Sequence, residues 1–366
     1  MILCNCSKYE LNNRIRSKRI ILFGCGKVLR DALEKNHAWI PTENISYLID
    51  NRFEGQICTI SGKSYEVYSP VKLCGEKSCV VIIMSSKYYQ EMYEQLVGLN
   101  LSDDVECYLY PMIRVSNFTH VSEENHSKVL QGKYQIPKLI HSFWFSGEKK
   151  PDSYQKCIDS WEKYCPEYTI KEWTLSNYDI EKNDFMKMAA QQRKWAFVAD
   201  FARLDVVNTY GGVYMDMDVE LLKCPQELFC HKSIFSFNMS DHIDLAMFAS
   251  VSNNPILEEL MKLYEGKVFN SDGKTMNSFS QPGFVEEYFT RVGILMNGKL
   301  QWKQDMVFLP KTYLMPLDMF TYLPVASSKY TYAIHWCNGG WREEKSTPKQ
   351  VKKNRKLWEL FNSRGK

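Results

Sequence analysis

The sequence predicts an α/β protein in two domains, and three observations lead to that reading. Short runs that are apolar on both faces alternate with helical periodicities of three and four, the pattern of parallel strands covered on both sides. A polar stretch, HVSEENHSKVLQGKYQ at 120–135, separates two such alternations. The chain has 366 residues, long for one domain and ordinary for two.

In the first alternation Arg19–Phe23 is an apolar run followed by Gly24-Cys25-Gly26 and a helical pattern through Val28, Leu29, Ala32 and Leu33. Ile45–Ile49 is a second strand that ends at Asp50. The run 79–84 is a third, leading into a helix whose positions Tyr89, Met92, Tyr93, Leu96 and Val97 share a face, and 105–109 is a fourth. Residues 1–120 therefore form a small Rossmann-like parallel-sheet domain, with 121–135 as a linker. The second alternation, 136–345, offers strands at 138–145 and 168–173 around a helix at 154–164. A long amphipathic helix at 191–210 is closed by Gly211-Gly212, and strands follow at 213–215 and 219–222. Helices near 256–264 and 285–290 and short strands near 307–309 and 332–335 complete it. The tail, 346–366, is a basic amphipathic helix with Val351, Leu357, Trp358, Leu360 and Phe361 against Lys349, Lys352, Lys353, Arg355 and Lys356.

Composition narrows the function classes. Hydrophobic residues are 45% and charged residues 24%, a balance that excludes wholesale disorder. The net charge of +3 is too small for nucleic-acid binding over the whole surface, and no nucleic-acid partner is expected. Residues 342–366 hold nine Lys/Arg and three Asp/Glu, so the rest of the chain sums to −3. That tail lies on an anionic membrane surface in one reading and packs on the catalytic domain in another. The twelve cysteines are scattered with no CxxC pair, which argues against a zinc ribbon or dithiol motif and for a reducing compartment. The first residues lack the apolar core of a signal peptide, and no run approaches the roughly 18 residues of a membrane span. A cytoplasmic protein is expected, peripheral on the inner face of the membrane if the tail binds there.

The chemistry concentrates in WAFVADFARLDVVNTYGGVYMDMDVELL, residues 195–222. Asp216-Met217-Asp218 follows a short apolar strand, and the two carboxylates can hold one divalent ion if the chain turns between them. Such oxygen ligands suit Mg²⁺ or Mn²⁺ and leave positions for phosphate oxygens. Alone, Asp-x-Asp is equally a solvated turn. Asp200 and Arg203, three apart on the preceding helix, share a face: an intrahelical ion pair, or a carboxylate for sugar hydroxyls beside a cation for phosphate.

IPKLIHSFWFSG, SW(x)₃CPEY(x)₃EW, A-D-(x)₂-R-(x)₆-YGGVYMDMDV and a late YAIHWCNGGW, in that order, resemble the DXD-containing sugar transferases of glycosyltransferase family 32, related to capsular-polysaccharide synthesis proteins and to the fungal initiating mannosyltransferase. The resemblance covers about 136–341. It implies a GT-A fold, a nucleotide-diphosphate sugar donor, a divalent metal and transfer with retention of configuration, in which the leaving diphosphate takes the acceptor's proton. It also implies roles. Trp144 would stack on the donor base, with His141 beside it in the donor site. Asp200 and Arg203 would contact the donor sugar and diphosphate, and Asp216 and Asp218 would bind the metal, completed by His335. Trp341 and Asp244 would join the donor site, and Tyr214 would either contact the donor there or pack beneath the acidic turn. Gly340 stands where the family has Ser before the last Trp, so Asn338 or a backbone N–H would substitute. Ser142 stands where Gln is common, and Phe279-Ser280-Gln281-Pro282-Gly283 departs from the usual Thr-Gly-Pro.

The expectation is therefore a retaining, Mn²⁺- or Mg²⁺-dependent hexosyltransferase, using a UDP-hexose on a glycan or lipid-linked acceptor in cell-surface or capsular polysaccharide synthesis. Two alternatives remain. Gly24-x-Gly26 with Asp50 is part of a dinucleotide fingerprint, which would suit an NAD-dependent sugar oxidoreductase or epimerase, although Leu29 occupies the third glycine position. The other is a non-catalytic scaffold of a polysaccharide-synthesis complex.

Overall fold

The computed structural model describes every residue other than 7, 35–39, 116–120, 240–241, 270–280, 319–321, 325, 339–347 and 364–366. The chain divides into two units, Met1–Asn117 with Ser346–Lys366, and Phe118–Lys345. Each is α/β.

The described residues of the first unit form seven strands: β1 (Ile2–Leu3), β2 (Arg19–Phe23), β3 (Ile45–Ile49), β4 (Ile57–Ile60), β5 (Lys63–Tyr68), β6 (Cys79–Ile83) and β7 (Glu106–Leu109). They lie in the order β1-β7-β6-β2-β3-β5-β4, parallel throughout except for the β4–β5 hairpin. Every residue of β6 is buried, as its unbroken apolar run requires for a central strand. Asp50 is engaged at home: its Oδ2 accepts from Cys25 N at 2.8 Å and its Oδ1 from Arg52 N at 2.8 Å. The carboxylate that a dinucleotide fingerprint would aim at a ribose thus braces the glycine turn. The C-terminal helix, Pro348–Ser363, belongs to this unit. Leu357, Trp358 and Phe361 are buried, and Asn354 Oδ1 accepts from Tyr89 Oη at 2.8 Å. The sequence reading packed this helix on the catalytic domain or laid it on a membrane; its residues Leu357, Trp358 and Phe361 are buried within the first unit, and membrane contact is not supported. Among the described residues, no helix is long and apolar enough to cross one.

The second unit contributes β8 (Leu139–Phe143), β9 (Thr169–Trp173), β10 (Gly212–Met215), β11 (Val219–Leu221), β12 (Ser233–Met239), β13 (His242–Ser250), β14 (Gln301–Lys303), β15 (Met306–Leu309) and β16 (Ala333–His335). Seven form a mixed sheet in the order β14-β15-β12-β13-β10-β8-β9, and β11 pairs with β16 in a two-stranded sheet. In this unit β9, β8 and β10 run parallel, and β13 is antiparallel to β10, in keeping with the GT-A expectation. Side chains alternate between two cores: Tyr214, Phe235 and Phe248 face one, while Val213, Met215, Ile234 and Ala249 face the other with Trp161. The stretch read as a linker carries a helix, Glu123–Val129, whose N-cap Ser122 accepts from Asn125 N.

The long helix expected at 191–210 is Trp195–Tyr210, starting four residues later because Arg193, at φ 56°, separates it from a preceding helix, Asp184–Gln191. The second is buried on most sides, since it covers the sheet and packs against neighbouring helices, Asp184–Gln191 and Pro255–Lys262. Gly211 (φ 66°) closes it, and Gly212 (φ 110°) turns the chain into β10 so closely that an added Cβ would lie 2.5 Å from Leu139 O. Gly212→Ala is expected to destabilise the chain by more than about 3 kcal/mol, combining left-handed strain with a backbone clash. Gly55→Ala, strained but facing open space, should cost only about 1–2 kcal/mol. Urea denaturation of both variants checks the contrast.

Candidate active site

Because β8 and β10 are parallel and adjacent, the residues that follow them leave the same sheet edge, where α/β proteins bind ligands. Trp144 follows β8 and Asp216 follows β10. The antiparallel β13 brings its early residues to that edge too: Asp216 N donates to Ala246 O at 2.8 Å, and Asp244 lies beside it. A turn closed by Val219 N donating to Asp216 O at 3.0 Å supplies the bend between the two carboxylates that the sequence reading required. The register of β11 and β16 then sets His335 opposite Val219. One potential ligand atom each from Asp216, Asp218 and His335 falls within 4.8 Å of the others.

Hydrogen bonds fix these groups. Asp218 Oδ2 accepts from Asn338 N at 2.8 Å, and Asp218 O from Trp336 N at 3.0 Å. The backbone of the late motif thus holds the acidic turn, the part that the missing Ser left open. His335 stands between two carboxylates, 3.3 Å from Asp218 and 3.6 Å from Asp244. Asp244 in turn accepts from Asn238 Nδ2 at 2.7 Å and Ala246 N at 2.8 Å. Arg203, only 8% exposed, donates Nε to Ala199 O at 3.1 Å and Nη1 to Leu245 O at 3.0 Å. Its Nη2 lies 3.1 Å from Asp200 and 3.5 Å from Asp216. The guanidinium is therefore anchored by two backbone carbonyls and presents its remaining nitrogen to two acids.

The electrostatics follow from burial and pairing. Burial raises the Asp200 carboxyl to about 7 despite the pull of Arg203, with Asp216 and Asp244 adding to the rise. Burial likewise raises Asp216 against Arg203. Burial opposes ionisation of Asp218 and Asp244 as well, but His335 and backbone N–H groups outweigh it and hold both below the usual carboxylate range. Burial also disfavours a charged His335; Cys337, Asp218 and Asp244 overcome that and push the imidazole well up. The pocket is built to hold positive charge between acids.

The structure brings Asp200, Arg203, Asp216, Asp218, Asp244 and His335 together, with Trp144 at the same edge. Trp144 is half-buried; its Nε1 donates to Glu148 O at 2.6 Å and its ring meets Tyr154 edge-on at 5.8 Å. Two donor-site expectations are corrected. His141 is fully buried: Nδ1 accepts from Trp173 Nε1 at 3.1 Å, so Nε2 carries the proton and donates to Gly211 O at 2.9 Å. With both nitrogens used, and burial lowering it to about 4, it is a neutral core residue. Tyr214 is 1% exposed, its ring lies under Arg203, and its hydroxyl is given to Asp216. It positions a ligand residue and has no surface for a donor. Trp341 lies outside the described residues, as do Phe279 and Ser280; Gln281 Nε2 holds Asp200 O at 2.5 Å. The sequence reading missed Asn238, whose only signal is its register on β12 opposite Asp244's strand.

Residues 151–235 match a family model described as a glycosyltransferase sugar-binding region containing a DXD motif. A similar protein, 26% identical over 122 residues, is an uncharacterised glycosyltransferase of Acanthamoeba polyphaga mimivirus; the match covers 31% of this chain, which spans 42% of that relative's length. Similar solved structures include the PaToxG glycosyltransferase, with 16% identity, coverage of 43% of this chain and 69% of that one, and a TM-score of 0.36. Another is a glycosyltransferase involved in glycosylation of the major capsid of PBCV-1, with 13% identity, coverage of 60% and 98%, and a TM-score of 0.30.

Proposed function

Taking as premise that this chain carries a DXD-containing glycosyltransferase domain similar to those of family 32, we propose that it is a divalent-metal-dependent, retaining hexosyltransferase that uses a UDP-hexose to extend a cell-surface glycan or polysaccharide. The observation that supports this most is the convergence of Asp216, Asp218 and His335 within 4.8 Å, beside an anchored Arg203. Two carboxylates and an imidazole are a donor set for Mn²⁺ or Mg²⁺, and the acids of the pocket carry the compensating charge. An ion held there supplies neutralisation of the diphosphate as it departs.

The chain's own residues do the rest. Arg203, fixed by Ala199 O and Leu245 O, offers a preorganised cation to the diphosphate and need not reorganise as charge develops. Asp200 accepts from donor-sugar hydroxyls and orients the ring. The Trp144 ring stacks on the base at the mouth of the site. The departing diphosphate takes the acceptor's proton, so no side chain is assigned as general base.

Asp200 acts as an acceptor only when ionised. Its carboxyl stands at about 7, so the charged form grows as pH rises through that value. Donor turnover should climb across the same interval, and Asp200→Asn should flatten that limb and lower the plateau at least tenfold, roughly the value of one charged hydrogen bond. A pH profile of both proteins checks this. The general test is a hydrolysis screen across UDP- and GDP-linked sugars with Mn²⁺. Release of UDP from one UDP-hexose is expected; inertness toward the whole panel would overturn the proposal.

A further inference from the structure

Away from the acidic pocket, two cysteines face each other. Cys165 closes the helix Asp152–Tyr164, its N–H donating to Trp161 O at 2.8 Å, and Cys224 precedes the short turn of helix Pro225–Leu228. Their sulfur atoms are 3.5 Å apart, with the Cys165 thiol donating. Cys165 is 2% exposed, whereas Cys224 is only half-buried. The backbones that carry them are already laced together: Trp161 Nε1 donates to Val219 O at 2.7 Å, and Leu221 N donates to Ser160 Oγ at 2.9 Å. At 3.5 Å the sulfurs stand close enough for a bond of about 2 Å to form between elements already held together.

We propose that Cys165 and Cys224 form a peroxide-responsive pair, oxidised reversibly to a disulfide that clamps the helix to the segment running out of the acidic turn. The Cys224 thiolate attacks one oxygen of a hydroperoxide; the O–O bond breaks, Cys224 becomes a sulfenic acid, and hydroxide leaves. The Cys165 thiol then attacks the sulfenic sulfur, the S–S bond forms, and the hydroxyl departs as water with the thiol proton. Two cysteines are oxidised and one peroxide is reduced. The local chemistry favours that division of labour: the Cys165 S–H and the Gln226 N–H both lower the Cys224 thiol against burial, whereas the hydrogen bond to Cys224 and burial raise Cys165. A small thiol reverses the bond.

The test uses the intact chain: hydrogen peroxide, then N-ethylmaleimide, non-reducing digestion and mass spectrometry. The expected product is a peptide pair joined through Cys165 and Cys224, lighter by two hydrogens and abolished by dithiothreitol. Under the same treatment Cys165→Ser should leave Cys224 as a dimedone-reactive sulfenic acid. Recovery of both residues as maleimide adducts, at peroxide levels that oxidise the exposed Cys74, would overturn the proposal. The readout needs no sugar donor, so its failure is separate from failure of the transferase reading.

Discussion

Asp218→Ala is expected to abolish sugar transfer while leaving the fold intact. The carboxylate is held ionised by His335 and by the Asn338 N–H, and the Asp216 carboxyl lies close beside it. On the proposed reading, removing it takes away a ligand of an ion that would be worth several kcal/mol to the departing diphosphate, or about 10³-fold or more in rate. Its removal also relieves repulsion of Asp216, which offsets the hydrogen bond lost at Asn338 N. The His335 ion pair is lost as well, but Asp244 still faces the imidazole at 3.6 Å, so the melting temperature should fall only modestly. Asp218→Asn, which keeps the shape and can still accept from Asn338 N, should be as inactive as the alanine variant if charge is what matters. Donor hydrolysis and circular dichroism on both variants test this, and full activity in either would contradict it.

Arg203→Ala is expected to damage stability as well as activity. The guanidinium makes four polar contacts and lies 4.7 Å over the Tyr214 ring. Without it, the half-buried Asp200 and Asp216 are left with no cation between them and two backbone carbonyls lose their donor. Breaking a buried charge network of this kind costs about 3–5 kcal/mol. The sign with pH follows from Asp200: in the variant both acids lose the partner that favours their charged forms, so protonation relieves them. The variant should be least stable above pH 7 and recover toward pH 5. Arg203→Lys keeps the charge but cannot span two carbonyls and two acids, and should rescue stability in part and transfer hardly at all. Thermal melts across pH on the three proteins give the comparison; a variant as stable as the parent at pH 8 would show that the network is dispensable.

Much of the site is legible in the sequence because its residues cluster in one stretch. Asp200 and Arg203 are three apart on one helix, and Asp216 and Asp218 flank one turn, so local periodicity alone places them together. His335 is different: it reaches the pocket only through the β11–β16 register, which pairing across more than a hundred residues creates, and only the late motif of the resemblance pointed to it. His141 and Tyr214 enter the donor-site expectation only through the motifs they share with Trp144 and Asp216. Both sit on interior strands of the sheet, β8 and β10, and are fully covered there. The hairpin of β12 and β13 had no place in the sequence reading, although it carries Asn238 and Asp244 into the pocket. Its apolar residues alternate imperfectly, and register shifts on β12 break the pattern further. In the first unit the four central strands stood out as apolar runs, while β1 has two residues and the β4–β5 hairpin alternates too many charged and polar side chains to be conspicuous.

The central claim is that Asp216, Asp218 and His335 hold one divalent cation. Titration of the purified chain with Mn²⁺ in the presence of UDP, followed by the loss of the free-ion paramagnetic resonance signal, measures that directly. One ion per chain is predicted, displaced by EDTA and absent from Asp218→Ala. Equal uptake by that variant, or no uptake by the parent chain, would contradict the account.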